Sequence, residues 1–431
     1  LYLSNYGPDR LFRNRGDGTF EDNTEQAQIN QPKWSTSSTF FDYDLDGDLD
    51  LYVTNYVDFH PENFEPCSRA GQEVYCGPQE YAGLCDHLMR NNGEGLFEEV
   101  SKELGIKDCS GKGLGVVAGD FDGDGDPDLY VANDGTANFL YINQTNTEKK
   151  VFTEEALYYG AAYGYDAEAE AGMGTDMGDF DNDGDLDLTV TNLEAQTNSL
   201  YRNDDGVAVM EVSYATGLGA KTLPYVGFGT CFIDFDLDND LDLIATNGHV
   251  IDNIQLIKES SSFEQEDLLF ENIDGHFHEI LNSREGVNTI PRRVGRGLAK
   301  GDIDGDGDED IVINNNGSQP LLLLNTIGQK KSSIGLQLVG KSPHSNRDAY
   351  GAKVFIQSRG RNFLREVHAG ASYLASNDPR LHIGVTDGST EIDGVIRWPS
   401  GLREEFKGLA TGYYHTIEES LGLQKSVPFQ R

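Results

Sequence analysis

Short stretches in which apolar and polar residues alternate recur along the chain, and five of them directly follow an Asp-rich stretch. These five are LYVTN (51–55), LYVAN (129–133), LTVTN (188–192), LIATN (243–247) and IVINN (311–315). Alternation of period two with Val, Ile, Tyr and Thr predicts β-strands. Another short strand is predicted after a turn in each repeat: LMRNN (88–92), LYINQ (140–144), LYRND (200–204), LFENI (269–273) and LLLNT (322–326).

Two further strands complete the predicted repeat unit. A small, Gly-rich strand such as GLGVVAG (113–119) precedes the Asp-rich stretch, and a Phe-containing strand such as NIDGHFHEI (272–280) comes last. Four short antiparallel strands form a propeller blade. Residues 1–22 match the later part of a unit, so the chain is expected to begin inside a blade. The sequence therefore predicts an all-β fold with a six- or seven-bladed β-propeller.

The Asp-rich stretches share the nine-residue pattern D-x-D-x-D-[G/N]-D-x-D, which occurs five times. Five carboxylates so close together repel one another and cannot be buried unless a cation neutralises them. Ca²⁺ accepts about six to eight oxygen ligands from a loop, whereas Mg²⁺ demands a rigid octahedron. The pattern thus predicts about five Ca²⁺ sites, formed by Asp42, Asp44, Asp46, Asp48 and Asp50; Asp120, Asp122, Asp124, Asp126 and Asp128; Asp179, Asp181, Asp183, Asp185 and Asp187; Asp234, Asp236, Asp238, Asp240 and Asp242; and Asp302, Asp304, Asp306, Asp308 and Asp310.

Position 12 of each loop excludes an EF-hand, which needs a bidentate Glu there. The residues found at that position are Val53, Val131, Val190, Ala245 and Ile313. The carboxylate at position 9 is therefore expected to close the site. We assign side-chain ligands to positions 1, 3, 5 and 9 and a backbone carbonyl to position 7, and we expect the ions to stiffen the hairpins.

Charge and composition exclude several classes of protein. The chain has 73 acidic and 33 basic residues and a net charge of −40, which argues against nucleic acid and anionic lipid as partners. No apolar run approaches the roughly 18 residues of a membrane helix, so direct membrane insertion is not expected. Residues 326–431 carry 14 basic and 10 acidic residues, while 1–325 carry 19 and 63. This shift predicts a domain boundary, with a propeller over 1–326 and a second domain over 327–431.

The loops, with turns such as GDGTF (16–20), resemble the FG-GAP/VCBS repeats of integrin α propellers. The C-terminal segments SNRDAYGAKVFIQ (345–357), REVHAGASYLASNDPRLHIGV (365–385) and IDGVIRWPSG (392–401) resemble an ASPIC/UnbV domain, as in the cartilage acidic protein family and its bacterial relatives. The resemblance implies a secreted, Ca²⁺-binding propeller with an attached small β domain. It implies no single biochemical activity.

Four of the five cysteines, Cys67, Cys76, Cys85 and Cys109, fall within one insertion. Their clustering predicts two disulfides and an oxidising compartment, and local closure favours Cys67–Cys76 with Cys85–Cys109. A zinc site is the alternative, although the spacing lacks the C-x₂₋₄-C of structural zinc sites. Cys231 is predicted to be a buried free thiol. The sequons at Asn143 and Asn316 are predicted to be compatible with a surface position.

These features predict a secreted or cell-surface protein, periplasmic or on the outer surface if the source is bacterial. Its partner is expected to be an extracellular protein or a glycan, with the insertion over 57–109 as the contact surface. Catalysis is not expected, because no nucleophile, phosphate-binding or metalloprotease motif occurs. The alternatives are a polysaccharide lyase, with a base and a cation at the channel mouth, and a structural subunit of a larger assembly.

Overall fold

Each Asp-rich stretch forms the turn between a Gly-rich strand and the alternating strand that follows it. The structure is a computed structural model that describes residues 1–29, 32–145, 151–280, 290–358 and 360–430. Where the two strands of a repeat pair, the first and last aspartates of the loop flank the turn, as in the register Gly119↔Asp128. Strands account for most of the regular structure, so the all-β prediction is confirmed.

Six antiparallel sheets follow one another along the described part of the repeat region. The first contains β1 (Tyr2–Leu3), β3 (Arg10–Asn14) and β4 (Phe20–Asp22). The second has the order β10 (Phe97–Glu99), β9 (His87–Asn91), β6 (Asp50–Asn55), β5 (Pro32–Phe41) and β2 (Tyr6–Pro8). The third has the order β11 (Gly113–Gly119), β12 (Asp128–Asn133), β13 (Phe139–Asn143) and β14 (Phe152–Glu154).

The remaining three sheets repeat the same strand order. The fourth contains β15 (Thr175–Gly178), β16 (Asp187–Val190), β17 (Ser199–Asp204) and β18 (Ala208–Glu211). The fifth contains β19 (Gly227–Ile233), β20 (Asp242–Asn247), β21 (Leu268–Ile273) and β22 (His276–Glu279). The sixth contains β23 (Gly295–Gly301), β24 (Asp310–Asn315) and β25 (Leu321–Leu323). The predicted four-stranded unit is found in the third, fourth and fifth sheets, and the number of blades stays a prediction.

Neighbouring sheets pack face to face, and their first strands lie side by side in the order β5, β11, β15, β19, β23. Tyr130 of the third sheet and Tyr201 of the fourth share one fully buried cluster with Leu188. The first strands are rich in glycine because their backbones approach closely. A Cβ at Gly115 would collide with the carbonyl oxygen of Met173, so this position tolerates no side chain.

The C-terminal part forms two four-stranded sheets, which we call the C-terminal sheets. One has the order β31 (Leu381–Gly384), β26 (Ser333–Val339), β34 (Tyr413–Glu418) and β35 (Gly422–Pro428). The other has the order β28 (Arg361–Glu366), β27 (Lys353–Ser358), β32 (Glu391–Arg397) and β33 (Arg403–Ala410). They enclose a core that includes Leu336, Val354 and Trp398. In the described part of the chain, helix is confined to single turns, α1 (Ala156–Tyr159), α2 (Gly219–Thr222) and 3₁₀ turns at Pro61–Asn63, Pro78–Glu80, Ile254–Leu256 and Gly328–Lys330.

Residues 369–376, which we call the plug segment, lie between the first strands of the repeat sheets. The segment contains the short strands β29 (Gly370–Ala371) and β30 (Ala375–Ser376), which contact β5, β11, β15 and β23. Ser372 exchanges backbone hydrogen bonds with Thr175, at 2.6 and 3.2 Å, and its Oγ accepts a bond from the Thr230 N–H at 3.1 Å. The C-terminal part therefore reaches into the centre of the ring of sheets.

Candidate metal centres

Carboxylates of each Asp-rich loop converge on one point. In the first four loops these are the side chains at positions 1, 3 and 9, and in the fifth loop they are those at positions 1, 3 and 5. One oxygen of each lies within 4.8 Å of the others in every group. The groups are Asp42, Asp44 and Asp50; Asp120, Asp122 and Asp128; Asp179, Asp181 and Asp187; Asp234, Asp236 and Asp242; and Asp302, Asp304 and Asp306.

The loop backbone orients the carboxylate at position 1. In the first loop, the Asp46 N–H donates to Oδ1 of Asp42 and the Gly47 N–H donates to Oδ2, both at 3.1 Å. Gly47 adopts a φ of 92°, a left-handed conformation that glycine adopts without strain. The spacing of positions 1, 5 and 6 therefore folds the chain tightly around the first aspartate.

The aspartate at position 9 is held from two sides. In the third loop, Oδ2 of Asp187 accepts the Phe180 N–H at 3.0 Å and Oδ1 accepts the Asn203 N–H at 2.8 Å. The same pair of bonds recurs at the four other aspartates of this position, Asp50, Asp128, Asp242 and Asp310. All five side chains are buried, so they belong to the interior of the sheet as much as to the loop.

An asparagine in the third strand of each repeat, or just after it in the sixth sheet, completes the frame, and it was not among the predicted site residues. The Nδ2 of Asn203 donates to the Leu186 carbonyl of its own loop at 3.2 Å and to the Phe121 carbonyl of the preceding loop at 2.9 Å. It thereby joins consecutive sheets. Equivalent bonds to the preceding loop are made by Asn143, Asn272 and Asn325. The signal was present, because Asn stands at the fourth position of every third-strand segment quoted above.

Burial makes the clustered carboxylates costly in their charged form. Burial, together with the neighbouring aspartates of the loop, raises the pKa of Asp50 to about 9 and the pKa of Asp42 to about 7. The pKa of Asp128, Asp187 and Asp242 is also raised well above its ordinary value, with burial as the main cause. Each loop thus gathers acidic groups whose ionised form needs a compensating positive charge.

Two carboxylate oxygens of the third loop bear directly on what fits there. Oδ2 of Asp179 and Oδ1 of Asp181 are buried and lack a hydrogen-bond partner, and Asp179 is only 1 % exposed. A buried, unpaired carboxylate oxygen is strongly unfavourable unless a cation lies against it. The donor set consists entirely of oxygens, which suits a hard cation. These residues fit a metal ion.

The positions not gathered in these groups have other contacts. Position 5 is exposed in the first three loops (Asp46, Asp124 and Asp183), and its Oδ1 accepts the N–H of position 7 in all five, as from Asp48 to Asp46 at 2.9 Å. Position 7 is held by this bond through its backbone. Which of positions 1, 3, 5, 7 and 9 bind metal stays a prediction.

Two known families, one of repeats and one of domains, match parts of the chain. The FG-GAP-like repeat matches residues 1–53, 72–131 and 120–190, and the domain described as ASPIC and UnbV matches residues 342–423. The chain is an FG-GAP repeat protein with an ASPIC and UnbV domain. The resemblance drawn from the loops and from the C-terminal motifs is thereby confirmed. No curated protein matches the chain.

Solved structures with a similar fold are distant in sequence. A lectin of Agrocybe aegerita that recognises non-reducing terminal N-acetylglucosamine is 16 % identical, with 75 % of this chain and 77 % of the lectin covered and a TM-score of 0.38. The exotype rhamnogalacturonan lyase YesX is 15 % identical, with coverages of 96 % and 67 % and a TM-score of 0.34. The biofilm matrix protein Bap1 of V. cholerae is 11 % identical, with coverages of 89 % and 68 % and a TM-score of 0.32.

The insertion of the second FG-GAP sheet follows β6. It begins at the end of this strand that lies opposite the Asp-rich loop. It contains the hairpin of β7 (Cys67–Arg69) and β8 (Gln72–Val74), and its disulfides are Cys67–Cys76 and Cys85–Cys109, the favoured pairing. The hairpin also contacts the connection between β20 and β21 of the fifth sheet. There the Asn253 side chain donates a hydrogen bond to the Glu73 carbonyl at 3.0 Å. Cys231 is a buried free thiol, as predicted.

Aromatic side chains gather where the insertion meets the second FG-GAP sheet. Trp34 lies 5.5 Å from Tyr6, 5.2 Å from Tyr56 and 5.6 Å from Phe59, measured between ring centroids. Phe59 in turn contacts Phe64 and Tyr81 of the insertion. We call these six rings the aromatic cluster: Tyr6, Trp34, Tyr56, Phe59, Phe64 and Tyr81. Tyr6 is 52 % exposed and Phe64 is 39 % exposed, so the cluster presents ring surface to solvent.

Two further findings concern the surface of the FG-GAP protein. The sequon at Asn143 was wrongly predicted to be compatible with a surface position, because this residue is 1 % exposed and its side chain joins two sheets. Asn316 is exposed, as predicted. Among the described residues, no helix has the length and the apolar character that crossing a membrane requires.

Proposed function

We propose that this chain is an exported, non-enzymatic interaction protein in which bound Ca²⁺ stiffens the propeller and the insertion contacts a protein or a glycan. The observation that carries the proposal is the recurrence of a carboxylate cluster in the Asp-rich loop of five consecutive repeats, formed by positions 1, 3 and 9 in four of them and by positions 1, 3 and 5 in the fifth. Such a recurrent cluster suits ions with a structural role. The two disulfides support export, because disulfides persist in oxidising compartments.

Calcium is proposed rather than magnesium because the donors are carboxylates arranged around an irregular loop. Asp179, Asp181 and Asp187 would hold the ion of the third loop, and the equivalent residues would hold the others. The ion would supply positive charge to groups whose burial disfavours their ionised form. Its role in this proposal is structural.

The substitution Asp187→Asn tests the calcium assignment. We expect the full chain to bind about five equivalents of Ca²⁺, from one ion per loop, and the variant to lose one, because a carboxylate of the third group is removed. Bound calcium is counted by equilibrium dialysis with elemental analysis. Asp185→Asn is the matched control, since position 7 is assigned a backbone ligand. Equal calcium content in wild type and Asp187→Asn would contradict the assignment.

The aromatic cluster is the proposed contact surface. Aromatic rings offer flat apolar faces to the C–H groups of sugars and to apolar side chains of proteins, at little cost in conformational entropy. The Cys67–Cys76 disulfide closes the hairpin that carries Tyr75, which is 64 % exposed. The insertion is thus a rigid support for exposed rings.

Exchange of Phe64, an exposed ring of the aromatic cluster, and of Tyr75, the exposed ring of the hairpin, tests the insertion as the contact surface. We expect the double variant Phe64→Ser, Tyr75→Ser to lose the partner that wild type captures from the native secreted or envelope fraction in Ca²⁺. The control is Tyr158→Ser, whose ring is 76 % exposed and lies in α1. Far-ultraviolet circular dichroism checks that both variants are folded. Capture by the double variant at the wild-type level would contradict the assignment.

The charged groups between the repeats and the C-terminal sheets are paired with one another. A polysaccharide lyase would need a free base and a free cation beside its substrate. Here His368 contacts Asp176 at 3.2 Å, Lys300 contacts Glu309 at 2.9 Å, and Arg380 forms a close ion pair with Asp378. These groups neutralise each other.

A structural subunit of a larger assembly is distinguished by the same capture experiment, which would then yield a stoichiometric protein partner.

A further inference from the structure

The C-terminal sheets and their flanking segments lie on the face of the propeller that carries the Asp-rich loops. Position 6 contacts them in four of the five loops. A Cβ at Gly47 would lie 2.8 Å from the Pro343 carbonyl oxygen, and one at Gly125 would lie 2.6 Å from Nη2 of Arg397. Gly307 packs under the ring of Phe429, and Asn239 is bonded to Gly384. The turn of the metal loop therefore also forms part of the surface that the C-terminal sheets contact.

Asn239 is the one position 6 that is not glycine, and its contacts explain the exception. Its Nδ2 donates to the Gly384 carbonyl at 2.8 Å, and its Oδ1 accepts the Gly384 N–H at 3.0 Å. Its own N–H donates to Oδ2 of Asp234, the first aspartate of the loop, at 3.0 Å. One residue thus links a carboxylate of the metal loop to strand β31. Glycine would permit the turn, with a φ of 74° here, but could not make the two side-chain bonds.

Cationic side chains of the C-terminal sheets reach the same loops. Nζ of Lys353 lies 2.9 Å from Oδ2 of Asp120. Nη2 of Arg365 donates to the Asn239 carbonyl at 3.0 Å and lies 3.8 Å from Oδ2 of Asp234. These groups contact the aspartate at position 1 of the second and fourth loops, Asp120 and Asp234.

The fifth loop is contacted through backbone and hydroxyl groups. Nη2 of Arg380 donates to the Asp302 carbonyl at 3.1 Å, and the Tyr414 hydroxyl forms a short hydrogen bond to the Asp302 carboxylate. The Gln430 N–H donates to the Gly305 carbonyl at 2.7 Å. Each of these bonds depends on the folded path of the loop between its first and sixth positions.

We propose that metal binding in the loops fastens the C-terminal sheets to the propeller. The inference rests on the calcium assignment of the proposed function. An ion cancels the repulsion among the carboxylates and fixes the loop in the shape that Pro343, Arg397, Gly384 and Phe429 contact. Without the ion the loop opens and these contacts are lost, while the backbone pairing inside each C-terminal sheet remains. Because coupling is reciprocal, the docked sheets strengthen metal binding by the same factor.

Hydrogen exchange of the full chain in Ca²⁺ and in EGTA tests the proposal. We expect the Gly384 and Gln430 amides, which donate across the boundary, to exchange at least about tenfold faster in EGTA. The amides of β26 and β27, which pair within the C-terminal sheets, should keep their protection. Equal exchange of Gly384 and Gln430 in both buffers, with Ca²⁺ binding measured, would overturn the proposal. Equal acceleration throughout the C-terminal sheets would also overturn it, since the ion would then hold the fold and not the docking. A chain that binds no Ca²⁺ would instead refute the calcium assignment.

A pair of Asn→Gly variants tests the reciprocal effect. Asn239→Gly keeps the turn and removes only the two bonds to Gly384, so we expect one Ca²⁺ site to weaken by about tenfold. The matched control is Asn182→Gly, also at a positive φ in a metal loop, whose side chain bonds Asp240 within the propeller at 2.7 Å. The control should leave exchange at Gly384 unchanged in Ca²⁺. Unaltered calcium affinity in Asn239→Gly, whatever its exchange at Gly384, would overturn the proposal.

Discussion

Thermal unfolding in EGTA is expected to move to lower temperature as the pH is raised from 5 to 8, and in Ca²⁺ this dependence should disappear. Burial raises the pKa of Asp42, Asp179 and Asp234 to about 7 and that of Asp50 to about 9 in the folded chain. In the unfolded chain an aspartate titrates near about 3.9. The folded, metal-free chain therefore holds more protons across this range, and its stability falls as they are lost.

Calcium neutralises the loop carboxylates in place of those protons. It thereby removes the loss of stability that ionisation of these groups causes at higher pH. Each ion that binds the folded chain alone adds about 2.7 kcal/mol at a free concentration one hundred times its dissociation constant. With several ions bound, we expect the unfolding temperature at pH 8 to be higher in Ca²⁺ than in EGTA by more than about 10 °C. Scanning calorimetry in both buffers at pH 5, 6.5 and 8 measures this. A flat profile in EGTA would mean that the loops do not bury charge as the structure indicates.

The second large effect is expected from Asn203→Ala, which removes the bonds between the third and fourth sheets. The Asn203 side chain is fully buried, and its loss leaves the Phe121 and Leu186 carbonyls without this donor. A buried polar group left unpaired costs about 1–3 kcal/mol, so we expect a loss of about 2–4 kcal/mol in unfolding free energy. The loss should persist in saturating Ca²⁺, because the side chain does not belong to the carboxylate groups.

Urea unfolding in Ca²⁺ measures this loss, and Asn316→Ala is the matched control. Asn316 is exposed beyond the end of β24, so its side chain contributes little to stability and the control should differ from wild type by less than about 0.5 kcal/mol. If Asn203→Ala behaved like the control, the asparagine bonds would not hold neighbouring sheets together. Urea unfolding of Asn272→Ala would then show whether the equivalent asparagine of the fifth sheet contributes differently to stability.

The repeat geometry was predictable because it is local and periodic. The alternation of LYVAN (129–133) gave β12, the Gly-rich GLGVVAG gave β11, and the aspartates between them lie in the connecting turn. The third-strand asparagines were equally periodic and could have been found by aligning the segments with one another. Asn143 shows why this matters, since a local sequon pattern was misleading where the repeat register would have been informative.

The docking of the second domain was not predictable in this way. Asn239 and Gly384 lie 145 positions apart, and no periodic pattern connects them. The sequence showed that Asn replaces Gly in the fourth loop, but an isolated Asn at a turn has a sufficient local explanation in its tolerance of positive φ. Likewise, the Lys353–Asp120 pair joins a loop aspartate to a lysine that looks like an ordinary surface charge in the sequence. Contacts of this kind depend on how two preformed sheets meet.

The plug segment constrains the order in which the protein assembles. Residues 369–376 are synthesised after all six repeat sheets, yet their backbone pairs with Thr175. The Leu374 N–H also donates to Oγ of Ser37 in β5, and Oγ of Ser372 accepts the Thr230 N–H of β19. The sheets must therefore leave the centre of the ring free until the C-terminal part has left the ribosome. Contacts so distant in sequence form slowly. Pairing of the plug segment with the first strands of the repeat sheets is therefore expected to be a late step of folding.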